Sequence, residues 1–111
     1  MLYSQDMLDL ARDFLNAMRE KGLKFASAES CTGGLIAGLL TEIAGSSDVI
    51  DRGFVTYSNE AKTALVNVPA ELIAAHGAVS EEVVRAMAEG ALRNSLADIS
   101  VAVSGVAGPG G

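Results

Sequence analysis

With 111 residues, half of them hydrophobic and a fifth charged, the chain is long enough for one core but short of two, so one domain is the default expectation and the composition argues against wholesale disorder. A formal net charge of -6 argues against a nucleic-acid surface, which needs clustered Lys and Arg. The single cysteine, Cys31, excludes an internal disulfide framework and fits the reducing cytoplasm, and no stretch approaches the roughly 18 apolar residues of a membrane span.

The first element reads as a helix. Met7, Leu10, Ala11, Phe14 and Met18 recur at helical spacing, Ser4 is placed to cap the start, and Gly22 to stop the end. Lys24 to Ala28 is too short for another helix and reads as a strand. It runs straight into the polar stretch SAESCTGGLIAG, after which Leu35, Ile36, Leu39, Leu40 and Ile43 mark a second helix ending near Gly45. Gly53 to Tyr57 is β-prone, and Ser58 or Asn59 can cap a short helix carrying Lys62 and Leu65. Pro69 suits the first position of a further helix closing at Gly77, and Ser80 caps a longer one in which Val83, Val84, Met87 and Ala91 share a face. Ile99 to Ser104 is a continuous β-prone run, expected as a strand buried on both faces, leading into the Gly-rich GVAGPGG. Strands alternating with helices predict a layered α/β fold in one domain over residues 1–111. A Gly-rich loop directly after a buried strand normally leads into another element, so the domain is expected to be incomplete at its C-terminus.

The stretch after the first strand concentrates the chemistry. Amides at the start of the following helix, at Thr32, Gly33 and Gly34, offer an anion or a carbonyl oxygen a binding place. Ser30 stands just before them, as a nucleophile does on a strand-to-helix turn. Helix capping by Ser30 and Thr32 is the competing explanation. In YSNEAK, Tyr57 and Lys62 can bring a phenol and an ammonium to one pocket, or Lys62 can be an ordinary solvated charge. GSSD, from Gly45 to Asp48, has the composition of an ordinary turn. In SGVAGPGG, Ser104, Gly105 and Gly108 lie where the carboxyl end of a strand meets a loop, the usual ligand position in α/β sheets, and could hold phosphate with backbone amides. His76, the only histidine, precedes a helix stop and is assigned to pairing with the last helical carbonyls. With His76 so used, activation of a hydroxyl falls to a lysine or tyrosine.

The strings AESCTGG, GSS, GFVTYSNEAK, HGAVSEE and SGVAGPGG, in this order and spacing, closely resemble the C-terminal domain of the CinA family, in the stand-alone form of its PncC-type nicotinamide-nucleotide amidohydrolases. The resemblance runs from Lys24 to Gly111. It implies a three-layer α/β/α sandwich whose C-terminal strands and helix, with an arginine among their substrate contacts, lie beyond this sequence. It also implies hydrolysis of nicotinamide mononucleotide to nicotinate mononucleotide and ammonia in pyridine nucleotide salvage, with no metal or organic cofactor. Carried over residue by residue, the family's motifs mark Ser30, Ser47, Tyr57 and Lys62 as catalytic and Ser104 as part of the substrate loop, with either serine eligible as the nucleophile. The partner implied is a small mononucleotide, with no nucleic acid or membrane, and a homo-oligomer is allowed. Two other readings stay open: a non-catalytic nucleotide-binding or competence/damage-associated interaction domain, and a thiol amidase using Cys31 and His76.

Overall fold

A computed structural model describes residues 2–106 of the chain. Helix α1 (Gln5–Glu20) leads to strand β1 (Phe25–Glu29), helix α2 (Leu35–Thr41), a 3-10 turn (Ser46–Asp48) and strand β2 (Ile50–Val55). Helices α3 (Asn59–Val66), α4 (Ala70–His76) and α5 (Glu81–Arg93) follow, and then strand β3 (Ile99–Val103). Serines set three of the helix starts. The amides of Met7, Ala61 and Val83 donate to the hydroxyls of Ser4, Ser58 and Ser80, satisfying donors that a helix leaves unpaired.

The strands form one parallel sheet in the order β2-β1-β3. Phe25 stands opposite both Ile50 and Ile99, and Glu29 opposite both Val55 and Val103. Parallel neighbours cannot be joined by a hairpin, so α2 carries the chain from β1 to β2, and α3 to α5 carry it from β2 to β3. All five residues of β1 are buried, because the central strand is covered on both faces. Phe25 faces a core closed by Ala11, Leu15 and Met18 of α1, Leu40 of α2, and Ile43 and Val49. The Phe14 ring meets that of Phe25 edge-on, with centroids 5.2 Å apart. Ala28 faces the opposite core of Val66, Val68, Ile73, Val83, Met87 and Ala91. The layers are therefore helix, sheet, helix, as expected.

The second core depends on one close approach. A Cβ at Gly90 would stand 1.7 Å from the Val66 carbonyl oxygen, so α5 crosses the end of α3 backbone to backbone.

Several expectations are corrected. On α1 the buried stripe is Ala11, Leu15 and Met18, while Met7 and Leu10 are 46% and 70% exposed. Both sets fit helical spacing, and packing on the sheet selects the one centred on Leu15. β1 extends one residue further than expected, taking in Glu29. β2 begins at Ile50, since an edge strand accepts the charged Asp51 and Arg52 that obscured it. β3 is not buried on both faces. The Ser100 hydroxyl donates to the Ala88 carbonyl of α5 and Ala102 joins the second core, whereas Ile99 and Val101, on the other face, are 39% and 42% exposed. His76 pairs with Glu82 at 3.3 Å at the surface, where it was expected to bond helical carbonyls. No helix among the described residues is long and apolar enough to cross a membrane.

Candidate active site

The strand order turns back at β1, whose two neighbours are reached by connections leading to opposite sides. Crevices outside the carboxyl ends of strands at such a switch point are the ligand positions of open α/β sheets. A cavity of about 300 Å³ lies there, lined by Ser30 and Cys31 after β1, Tyr57, Asn59 and Lys62 after β2, Ala78 and Val79, and Ser104 to Val106 after β3. The Ser30 amide donates to the Val103 carbonyl at 3.0 Å, which ties the ends of β1 and β3 together at the cavity floor.

Lys62 is 1% exposed and Ser30 is 7% exposed. Capped at Ser58, α3 places Lys62 on its first turn facing inward under the end of β2. Its Nζ lies 3.0 Å from the Thr56 carbonyl, 3.2 Å from the Tyr57 carbonyl and 3.3 Å from Ser30 Oγ. Burial holds the Lys62 ammonium below the usual lysine range, since desolvation disfavours the charged form. The three partners suit both protonation states. An ammonium donates to all three, whereas a neutral amine donates to the two carbonyls and turns its lone pair toward the Ser30 hydroxyl.

The other expected residues divide. Tyr57 reaches Lys62 through its carbonyl, and its side chain is 71% exposed at the cavity rim. Ser104 lines the cavity with its hydroxyl donating to the Ala78 carbonyl at 3.0 Å, and Gly105 packs so closely that a Cβ there would meet Cys31 Sγ at 3.3 Å. Gly108 lies outside the described residues. Ser47 is not brought to this cavity. It is exposed in the 3-10 turn before β2, and in a parallel sheet that end lies a full strand length from the carboxyl ends where the cavity opens. Of the two serines left open by the sequence, only Ser30 stands beside Lys62 within one chain. His76 does not line the cavity either, so Cys31 has no histidine partner there.

At the start of α2, just beyond the Thr32–Gly34 amides expected to hold an anion, the protein's own carboxylate takes the Ile36 and Ala37 amides. Glu29, 1% exposed, accepts from the Thr32 hydroxyl at 2.6 Å and from the Ile36 and Ala37 amides at 2.9 Å each. Thr32, Gly33 and Gly34 thus form a turn braced from beneath, and none of them lines the cavity. Gly34 has φ 108°, a conformation L side chains rarely adopt, which lets the turn close over the carboxylate. Glu29 and the Thr56 carbonyl are the site features that sequence reasoning missed. The one available signal was a glutamate next to an apolar segment and three residues before a threonine. A larger hollow of about 560 Å³ between α3 and α4 shares Asn59 and Ala78 with the site, but it is lined mainly by small apolar side chains and holds no nucleophile with a base beside it.

The fold and site are those of a parallel α/β domain with a buried serine and lysine in contact at its switch point. The profile of the CinA C-terminal domain matches residues 7–111, and the chain belongs to that family. A CinA-like protein of Colwellia psychrerythraea is 58% identical over 102 residues, which cover 92% of this chain and 24% of that protein. The nicotinamide-nucleotide amidohydrolase PncC of Escherichia coli is 50% identical over 106 residues, covering 96% of this chain and 64% of its own length. The crystal structure of the competence/damage inducible protein CihA from Agrobacterium tumefaciens superposes with a TM-score of 0.96 at 53% identity, over 100% of this chain and 67% of that one.

Proposed function

We propose that this domain hydrolyses the carboxamide of nicotinamide mononucleotide, releasing nicotinate mononucleotide and ammonia, with Ser30 as nucleophile and Lys62 as its base. The observation that carries the reading is the buried contact between Ser30 Oγ and Lys62 Nζ, with the Thr56 and Tyr57 carbonyls holding the amine. The likeness to an enzyme called nicotinamide-nucleotide amidohydrolase supports the choice of substrate.

In this route the neutral Lys62 amine takes the Ser30 proton as Oγ bonds to the amide carbon. The carbonyl oxygen gains negative charge as the tetrahedral intermediate forms. Among the described residues the Cys31 amide, in the cavity lining, has no acceptor, so it is available to donate to that oxygen. Lys62 then gives its proton to the departing nitrogen, the C–N bond breaks, and ammonia leaves a Ser30 ester. Water, deprotonated by the same amine, attacks the ester and restores the Ser30 hydroxyl. The Tyr57 ring walls the mouth of the cavity, and the main chain at Ser104 and Gly105 holds the rest of the mononucleotide. Lys62 is the one basic side chain in the described lining, so in an acidic chain substrate binding relies on local donors rather than long-range attraction.

Ammonia release from nicotinamide mononucleotide, measured on this chain and on Ser30→Ala, tests the reading. The expected result is release by the parent and a loss of about a thousandfold or more in the variant. A folded Ser30→Ala protein with near-parental release overturns it.

A further inference from the structure

Among the buried polar side chains that the mechanism above leaves idle, Glu29 carries the carboxylate. Glu29 sits in the central strand with no basic partner among the described residues, and a carboxylate in that position is retained only when hydrogen bonds compensate its desolvation. Both oxygens are engaged: Oε1 by the Thr32 hydroxyl and the Ile36 amide, Oε2 by the Ala37 amide. Bonds of this kind to a carboxylate are short and directional, and the start of a helix favours the negative charge.

The same residue is also fixed on its other side. Its carbonyl accepts from the Thr56 amide at 2.8 Å and the Thr56 hydroxyl at 3.3 Å, and the Thr56 carbonyl in turn accepts from Lys62 Nζ. Ser30 follows directly in the chain, in a turn closed by the Gly33 amide on the Ser30 carbonyl and the Leu35 amide on the Thr32 carbonyl. One residue is therefore bonded through its side chain to the turn that bears the serine, and through its main chain to the segment that holds the lysine.

We infer that Glu29 is a positioning residue, a buried carboxylate that sets the distance between Ser30 Oγ and Lys62 Nζ by bracing the Ser30–Gly34 turn. This rests on the reading of Ser30 and Lys62 as nucleophile and base. Misplacing a reacting group by about 1 Å can cost about a hundredfold in rate, so loosening the brace acts on chemistry without touching substrate.

Glu29→Gln keeps the shape but turns an amide group toward donors that a carboxylate accepts. Thr32→Val removes the hydroxyl, and Thr32→Ser retains it. Two readouts are needed on the full chain: kcat and KM for ammonia release from nicotinamide mononucleotide, and the rate at which phenylmethanesulfonyl fluoride labels Ser30, followed by mass spectrometry well below the melting temperature. In Glu29→Gln both kcat and the labelling rate are expected to fall at least about tenfold, with KM changed less than about threefold. Thr32→Ser is expected to label at the parental rate and Thr32→Val to lag behind it. A folded Glu29→Gln protein that labels as fast as the parent overturns the inference. If that variant does not fold, the threonine pair decides, and equal labelling by Thr32→Val and Thr32→Ser overturns it. A parent that releases no ammonia but whose Ser30 labelling follows this pattern removes the amidase reading and supports the positioning role.

Discussion

Ser30 and Lys62, 32 positions apart in the chain, meet at 3.3 Å in a buried contact, and two main-chain carbonyls take the remaining hydrogen bonds of the lysine. The contact turns a side chain that composition would place in water into a candidate base. Replacing it with one of similar length and no proton chemistry separates that role from packing. Lys62→Met is expected to lower ammonia release by about a hundredfold or more, the scale of losing a general base, while far-UV circular dichroism stays unchanged. Turnover within a few-fold of the parent would remove Lys62 from the mechanism.

The same burial makes a prediction in pH. The folded-state pKa of Lys62 lies below its unfolded value of 10.5, so below the folded pKa the fold bears the cost of a desolvated ammonium. As pH rises through the folded pKa toward 10.5, the unfolded chain still binds a proton that the native state has lost, and stability gains with pH across that window. The melting temperature of the parent relative to Lys62→Met should therefore climb as pH rises toward 10.5. Turnover should climb with pH as well, on an acid limb that reports loss of the same proton. A flat stability difference, together with an acid limb unaltered in a residually active Lys62→Met, would contradict both.

Tyr57 separates main chain from side chain. Its carbonyl holds Lys62 while its ring stands at the rim, so Tyr57→Phe should leave kcat nearly unchanged. Tyr57→Ala should raise KM about threefold to tenfold, the value of one aromatic contact of about 1 kcal/mol. A large kcat loss in Tyr57→Phe would instead put the phenol in the proton path.

His76 offers a control. It is paired with Glu82 at 3.3 Å, with both side chains 44% exposed. A surface pair of this kind contributes little, so His76→Asn should change stability by no more than about 0.5 kcal/mol and turnover by less than about twofold. Steady-state kinetics and thermal unfolding on one preparation check both numbers.

Gly90 tests the fold rather than the site. A methyl group there meets the Val66 carbonyl oxygen, and neither helix backbone can give way cheaply. Gly90→Ala, although it raises helix propensity, should destabilise by about 3 kcal/mol or more and lower the melting temperature by roughly 10 °C or more.

Much of the layer arrangement is legible in the sequence, since capping serines, stop glycines and the alternation of short β-prone and longer helical segments act locally. Position within the sheet is not local. ISVAVS reads as a buried strand because the run is β-prone, yet among the described residues β3 lies at an edge and exposes Ile99 and Val101. On α1 helical spacing marks the element without choosing its buried face, since it allows Leu10 and Leu15 equally and only the partner surface chooses. At the site, motif strings pointed to Ser30, Tyr57 and Lys62 but could not order Ser30 against Ser47, because distance along the chain says nothing about which end of a parallel strand a residue occupies. Glu29 went unassigned because its function depends on the amides of a helix that begins several residues later.

The parallel order of the sheet has a kinetic consequence. Among the described residues no strand pairs with a neighbour through a tight turn, and the β1–β3 junction is flanked by a hydrogen bond between the Lys24 amide and the Asp98 carboxylate, 74 positions apart. Closure over such a span is entropically costly and slow compared with local helix formation. Ser30, braced against Val103, reaches its final position only when that closure is complete. Helical signal on refolding from denaturant should accordingly return ahead of any capacity to label Ser30, and the lag between the two measures the time the chain takes to find its most distant strand partner.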